Sequence, residues 1–305
     1  MKIEGINNNR IDSIFKESFV IEKLNSGRKL IIKSGIDPTS IDIHFGHLVG
    51  LLLLRDFQKL GHKIVFVLGD FTAQLGDGVI RPKLGFSQTN KNAEKLETFI
   101  KDFFADGEFE LHKQSEWFKD MPLEKFINLL SEVPAKKLLS HETFKNNTKL
   151  QLHELTYPLF MAFDSIQLKP DIEVGSTEQK FNFELTRFLM RKNGLKPEDF
   201  ILNTRLPGID GSEKMSKSQN NFIGIFEDLD LQIQKILKMP NEVAIRFTEL
   251  LMEKPFTRSN ENGDEWLKFK KQLAIEVLGI FHTKENVELA WEIVLKEKFK
   301  LKRKS

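Results

Sequence analysis

Apolar runs and helical stripes alternate along the first two thirds of the chain. RKLIIKSGI (28–36) reads as a buried strand that ends in a glycine turn. A helical stripe follows over 44–60, and Gly61 stands where a C-terminal cap belongs. KIVFVLGD (63–70) is a short continuous apolar run, and its helical neighbour points to a parallel strand hidden on both faces. Leu96, Phe99, Ile100 and Phe103, three and four residues apart, predict a helix over 88–104. FELH (109–112), DIEV (171–174) and FILNT (200–204) read as further strands, with helical pieces over 114–163 and a helix over 178–192 closed by Asn193-Gly194. From about Leu229 the pattern is helical alone, with Phe269, Leu273, Ile275, Val277 and Phe281 marking one apolar helix. Strand, helix and strand in succession predict a doubly wound α/β unit with a parallel sheet, followed by a smaller all-helical part.

Composition narrows the class. A length of 305 residues suggests two domains, and 40% hydrophobic with 30% charged residues describes an ordinary globular chain. Lys+Arg 46 against Asp+Glu 44 leaves a net charge of +2, which excludes a generally basic nucleic-acid coater but not a local basic patch. Cysteine is absent, which excludes disulfides, iron–sulfur clusters, thiolate zinc sites and a thiol nucleophile. The longest apolar run, Val49 to Leu54, is broken by Gly50 and falls far short of the ~20 residues of a membrane span. Met1-Lys2-Ile3-Glu4 lacks the apolar core of a signal peptide, so the expected location is the cytoplasm, with no membrane partner. Against 27 phenylalanines there is one tyrosine, which singles out Tyr157.

Two short motifs carry chemistry. Gly35-Ile36-Asp37-Pro38-Thr39 ends the first strand, and His44-Phe45-Gly46-His47 opens the next helix. Helix N-termini bind phosphate through free N–H groups, Gly46 lets a flat ligand approach the backbone, and both histidines can donate to phosphate oxygens. Alone, such a histidine pair is more often a helix-start cap. Gly211-Ser212-Glu213-Lys214-Met215-Ser216-Lys217-Ser218 follows the last strand. Two lysines three apart among small hydroxyl residues can neutralise charge that develops on a polyphosphate, although alone they fit a solvated loop equally well. Both motifs in this order, with an α/β pattern between them, make a specific signal.

HFGH resembles the HIGH signature, and KMSKS is the second signature, of class I aminoacyl-tRNA synthetases. Gly35–Thr39, Gly69-Asp70-Phe71-Thr72, Gly76-Asp77, His153–Leu159, Asp164-Ser165 and Gln179–Asn182 resemble the bacterial tyrosyl-tRNA synthetases that bear KMSKS, and the similarity runs from Ile11 to Val294. The resemblance implies a Rossmann-like catalytic domain with a helical insertion over 1–208, a KMSKS linker over 209–227 and a helical domain with a basic tail over 228–305. It implies that His44 and His47, helped by Thr39, stabilise ATP phosphates and the transition state, and that Lys214 and Lys217 hold pyrophosphate. Asp37 is placed beside the phosphates and the substrate. Asp77 and Tyr157 would bind the amino group with Thr72 beside them, Asp164 would accept the phenol hydroxyl, and Gln179 would lie near the carboxylate. Gly46, Ser176, Glu178, Met215 and Ser216 fall to ATP, which is expected with Mg2+. A homodimer is implied as well. A buried phenol acceptor suits tyrosine, because leaving it unpaired rejects phenylalanine by several powers of ten.

Some positions depart from the family. Met161 stands where a glutamine usually contacts the amino group, and a thioether cannot replace an amide. Glu178 replaces a ribose-gripping aspartate, Ser176 replaces a glycine, and Lys33 stands where some members have a tyrosine facing the phenol. After Asp77 the run Gly78-Val79-Ile80-Arg81-Pro82 looks shorter than the usual basic loop, with Arg81 as its remnant. No S4-type RNA-binding domain is matched, so tRNA binding is expected to be weak. The basic run Lys296–Lys304 fits either phosphate contacts or a solvated, frayed helix end.

Two functions follow from the resemblance. One is ATP-dependent activation of tyrosine or a related amino acid to an aminoacyl-adenylate, with transfer to tRNA. The other is an adenylate-forming paralogue that hands the amino acid to a small amine, carrier or peptide. Two intact signatures argue against a non-catalytic regulator.

Overall fold

A computed structural model of the chain describes residues 2–39, 43–75, 86–212, 214–253 and 263–302. They form two compact units. The first comprises Met1–Ile6, Ile11–Ile41 and Leu54–Asn203, and the second Asn7–Arg10, Asp42–Leu53 and Thr204–Ser305.

In the first unit, among the described residues, six strands make one sheet: β1 (Ile11–Ile14), β2 (Ile31–Ile36), β3 (Lys63–Leu68), β4 (Phe109–Lys113), β5 (Ile172–Ser176) and β6 (Asp199–Asn203). Their order is β1-β6-β5-β2-β3-β4, parallel from β6 to β4, with β1 antiparallel on the edge. Helices α1 (Glu17–Asn25), α2 (Phe45–Lys59), α3 (Phe86–Phe103), α4 (Ser115–Phe118), α5 (Leu123–Ser131), α6 (Ala135–Leu139), α7 (Glu142–Lys145), α8 (Tyr157–Leu168) and α9 (Lys180–Lys192) connect the strands. The first part of α2, Phe45–Leu53, belongs to the second unit.

The central strands are apolar throughout because parallel strands are covered on both faces; Ile64, Val65, Phe66, Val67 and Leu68 of β3 are all buried. The helical insertion has its own core, in which Phe118, Leu129, Val133 and Leu138 meet Leu159, Phe160 and Phe163 of α8 and Leu185 and Leu189 of α9. Gly61 and Gly194 end α2 and α9 at φ +87° and +68°, the left-handed conformation that favours glycine.

The alternating pattern is therefore a doubly wound sheet, as its periodicity predicts. The edge strand β1 is an addition. Ile11-Asp12-Ser13-Ile14 has no two-residue alternation, and its pairing with β6 shifts register between Ile11 and Ser13, so local pattern carries no trace of it.

The second unit holds α10 (Leu229–Lys238), α11 (Asn241–Leu251), α12 (Gly263–Leu278) and α13 (Lys284–Lys302). Phe45 lies between the rings of Phe247 and Phe281, with centroids 6.5 and 6.4 Å away. Arg10 is buried here and donates from Nε to the Leu250 carbonyl at 2.8 Å, placing a cation on the last turn of α11, where the helix dipole and free carbonyls favour it.

Phe200 of β6 is buried, stacked on Phe15 at 4.7 Å and tilted against Phe183 at 5.5 Å. Phe200→Ala leaves a cavity in rigid surroundings and is expected to lower stability by about 3–5 kcal/mol in urea unfolding. A loss under about 1 kcal/mol would mean that this core collapses around the gap.

Candidate active site

The polar groups of the first unit gather at the C-terminal ends of the parallel strands. Asp37 follows β2, Thr72 follows β3, and Gln114 and Trp117 follow β4. Tyr157 opens α8 and donates its hydroxyl to Asp37 Oδ2 at 2.9 Å. The Thr72 hydroxyl lies 2.7 Å from Asp37 Oδ1 and 2.8 Å from Gln114 Oε1, and its single proton serves one acceptor at a time. A Cβ on Gly69 would fall 2.0 Å from Asp37 Oδ1, so this glycine makes room for the carboxylate. A carboxylate flanked by two hydroxyls is a fitting receptor for an ammonium. The structure thus brings Asp37, Thr72 and Tyr157 into one network.

Asp164 lies about two turns further along α8, on its buried face. Gln114 Nε2 donates to its Oδ2 at 2.8 Å and Trp117 Nε1 to its Oδ1 at 3.0 Å. Burial pushes this carboxyl up to about 7, against the Lys33 ammonium and the two N–H donors, which hold it down. Each oxygen keeps a lone pair for a further donor. Gln114 is the hinge of the network: its oxygen takes the Thr72 main-chain N–H at 3.0 Å while its nitrogen holds Asp164.

Lys33 is buried under the sheet's helical cover and ion-paired with Glu173 at 2.7 Å. Met161 accepts at Sδ from Asn182 Nδ2 at 3.4 Å, and the same nitrogen lies 2.6 Å from Gln179 Oε1. Met161 and Gln179 are therefore neighbours through Asn182. Ser176 ends β5, and Glu178 is exposed on the short 3-10 turn Thr177–Gln179. Thr39 is half-buried in a tight turn, its N–H donating to the Asp37 carbonyl at 2.8 Å. Asp77 and Arg81 lie outside the described residues.

The second unit holds both signatures. Residues 43–45 pair with 223–225: Phe45 N–H donates to the Ile223 carbonyl at 3.0 Å and Ile225 N–H to the Ile43 carbonyl at 2.8 Å. That pairing sets the histidine turn beside the chain that leaves the lysine loop. Gly46 N–H donates to His44 Nδ1 at 3.1 Å, and His44 N–H to His47 Nδ1 at 3.2 Å. A ring that accepts at Nδ1 carries its proton on Nε2, so both histidines present an Nε2–H donor. Burial, then His47, Lys217 and Lys214, lower His44 to about 2. A Cβ on Gly46 would meet the His44 ring at 2.9 Å and the Met215 Cβ at 3.8 Å, so the glycine seats both.

The loop itself is held from below by Asn221, which is buried. Its Oδ1 accepts the Ser216 N–H at 2.8 Å, and its Nδ2 reaches the Lys214 carbonyl at 3.1 Å and Ser212 Oγ at 2.7 Å. Met215 is buried, its N–H donating to the Leu206 carbonyl at 3.0 Å, while Lys214 and Lys217 stay exposed on either side. Neutral donors backed by two lysines suit a polyphosphate.

The family profile of "tRNA synthetases class I (W and Y)" matches residues 25–294. The chain belongs to this family. It is 36% identical over 293 residues to a tyrosine–tRNA ligase of Idiomarina loihiensis, covering 92% of this chain and 73% of that one. It is 38% identical over 296 residues to one of Dehalococcoides mccartyi, covering 88% and 74%. A C-terminally truncated mitochondrial tyrosyl-tRNA synthetase of Coccidioides posadasii shares the fold, with a TM-score of 0.73, 17% identity and coverage of 95% and 89%.

Sequence reasoning missed the partners that organise these family residues. Gln114 and Trp117 sit in no motif and reach Asp164 only through the sheet. Glu173 carried a visible signal, a charge in the middle of an apolar strand. Asn221, next to Asn220, had none beyond its closeness to the lysine loop.

The His44 geometry has a direct readout. Between pH 5 and 8 its ring should remain neutral with the proton on Nε2, visible in nitrogen chemical shifts, whereas an ordinary histidine titrates near ~6.5. A midpoint for His44 inside that range would show that phosphate meets an imidazolium instead.

Proposed function

We propose that this chain is a tyrosine–tRNA ligase. The carboxylate of tyrosine attacks the α-phosphorus of ATP, pyrophosphate leaves, and the terminal hydroxyl of tRNA then attacks the adenylate carbonyl and releases AMP. The observation that carries this reading is Asp164, a buried acceptor with both oxygens aimed by neutral N–H donors, together with relatives named for tyrosine at 36–38% identity. Asp37, Thr72 and Tyr157 support binding of the amino group. No protein atom bonds to phosphorus. His44 and His47 donate Nε2–H to phosphate oxygens, and Lys214 and Lys217 offset the charge that builds on the leaving pyrophosphate.

Thr39 and Asp37 border the phosphates in this reading, Gln179 the carboxylate, and Gly46, Met215, Ser216, Ser176 and Glu178 the nucleotide. Among the described residues no cluster of histidines and carboxylates could hold a metal. The donors present suit phosphate oxygens and do not suit a divalent cation, which wants oxygen ligands. Mg2+ is expected to arrive with ATP, as the family resemblance implies. Transfer to a small amine, carrier or peptide has no comparable support from the relatives. The cytoplasmic location rests on the family; no described helix is long and apolar enough to cross a membrane.

A homodimer is part of the same reading. Leu123 and Ile127 on α5, with Leu139 and Leu152, are large apolar side chains left exposed at 73, 52, 45 and 82%. Ile127→Lys is expected to give a monomer by light scattering, and a variant that keeps the wild-type mass would move the interface elsewhere.

Amino-acid-dependent ATP–pyrophosphate exchange tests the activation step, and addition of tRNA tests the transfer. Lys214→Ala with Lys217→Ala should lower the exchange kcat by roughly 10²-fold or more with little change in the KM for tyrosine, because these charges act mainly in the transition state. A double variant that exchanges at the wild-type rate removes the loop from the mechanism. Build-up of adenylate with no charging of tRNA would favour another acceptor.

A further inference from the structure

Four ionisable side chains are sealed beneath the first unit's site: Lys33 on β2, Asp164 on α8, Glu173 on β5 and Glu198 just before β6. Lys33 and Glu173 are partners in the parallel register, so both leave the same face of the sheet. The ammonium lies 2.7 Å from Glu173 Oε1 and 2.7 Å from Ser165 Oγ. Ser165 follows Asp164 on α8, so the ammonium is tied to the turn that carries the acceptor.

Burial pushes the Lys33 ammonium down, and Glu173, Glu198 and Asp164 around it more than offset that, so it stays charged. Glu198 is buried beside this pair; burial, then the charge of Glu173, push its carboxyl well up. Lys33 and Glu173 are ion-paired, and Asp164 is the acid of the cluster whose oxygens the Gln114 and Trp117 N–H groups hold.

Resting on the tyrosine reading above, we propose that Lys33, tethered by Glu173 and Ser165, is a specificity-setting positioning residue: it keeps Asp164 ionised as the phenol acceptor, and the preference for tyrosine over phenylalanine therefore depends on pH.

A phenol donating to a carboxylate makes a charge-assisted bond roughly twice as strong as a neutral one, and a protonated Asp164 loses that advantage. Burial sets Asp164 high, at about 7, and the Lys33 ammonium is the largest influence holding it there, followed by Gln114 and Trp117, while Glu173 works the other way. The other charges near it stand further out. Asp37 connects through Thr72 and Gln114, and His112, 5.8 Å from the Trp117 ring, is paired with Glu116 at 2.8 Å. Behind β6, Arg187 and Lys23 are both engaged with Asp199.

The test is the ratio of kcat/KM for tyrosine to that for phenylalanine in ATP–pyrophosphate exchange, from pH 6 to 9. Titration of the shared amino group and of the phosphate machinery cancels in the ratio, and the tyrosine phenol, near ~10, does not titrate in this window. The ratio should rise about ten-fold between pH 6 and 8, as Asp164 loses its proton. In Lys33→Met with Glu173→Gln, which removes the pair without leaving a lone buried charge, the rise should move to higher pH. Ser165→Ala, which cuts the tether alone, should move it the same way by less.

A flat wild-type ratio overturns the proposal without any variant. An unmoved midpoint in the folded variants overturns the role of Lys33. Absence of exchange with tyrosine at every pH would instead remove the tyrosine reading, and this inference with it.

Discussion

β2 is hydrogen-bonded on both edges, to β3 on one side and to β5 on the other, and a strand paired on both sides in a parallel sheet must hide both faces. Polar groups then have one place to go, the carboxyl end where the chain leaves the sheet. The order β6-β5-β2-β3-β4 places the reversal of winding between β2 and β5, the position at which doubly wound sheets open a crevice. Asp37 leaves β2 there, Thr72 leaves β3, and Gln114 and Trp117 leave β4. These residues lie far apart in the chain and meet because the strand pairing gives them no alternative.

Buried polarity in the first unit is costly and almost fully answered. Asp164 holds two N–H donors, Lys33 holds a carboxylate and a hydroxyl, and Asp37 holds two hydroxyls. A network of this kind discriminates by what it leaves unpaired. An acceptor left without its donor in a low-dielectric interior costs its desolvation. Glu198 fits the same logic from the other side: buried beside Glu173, its carboxyl is pushed well up, towards the neutral form.

The second unit solves a different problem, seating two histidines beside two lysines. Charged histidines would have to be desolvated beside two lysines. Instead the backbone N–H groups of Gly46 and His44 donate to Nδ1 of the His44 and His47 rings, which leaves the ring proton on Nε2, and the positive charge is carried by the exposed Lys214 and Lys217. The pairing of residues 43–45 with 223–225 brings together signatures that are distant in sequence.

Periodicity by itself determined the doubly wound parallel sheet and the helical C-terminal part, and short motifs singled out His44, His47, Lys214, Lys217, Asp164 and Tyr157 as candidates, because these depend on local pattern and on short runs of residues. Lys33 shows where that reading stops: its sequence context marks a departure from the family, and only the register of β2 against β5 pairs it with Glu173. Gln114, Trp117 and Asn221 likewise gain their roles from where the fold carries them, and β1 exists as a strand only because β6 offers it an edge. Local pattern reports which face a residue must hide. Which polar partner waits on that face is a long-range fact, decided by strand order and register in the folded chain.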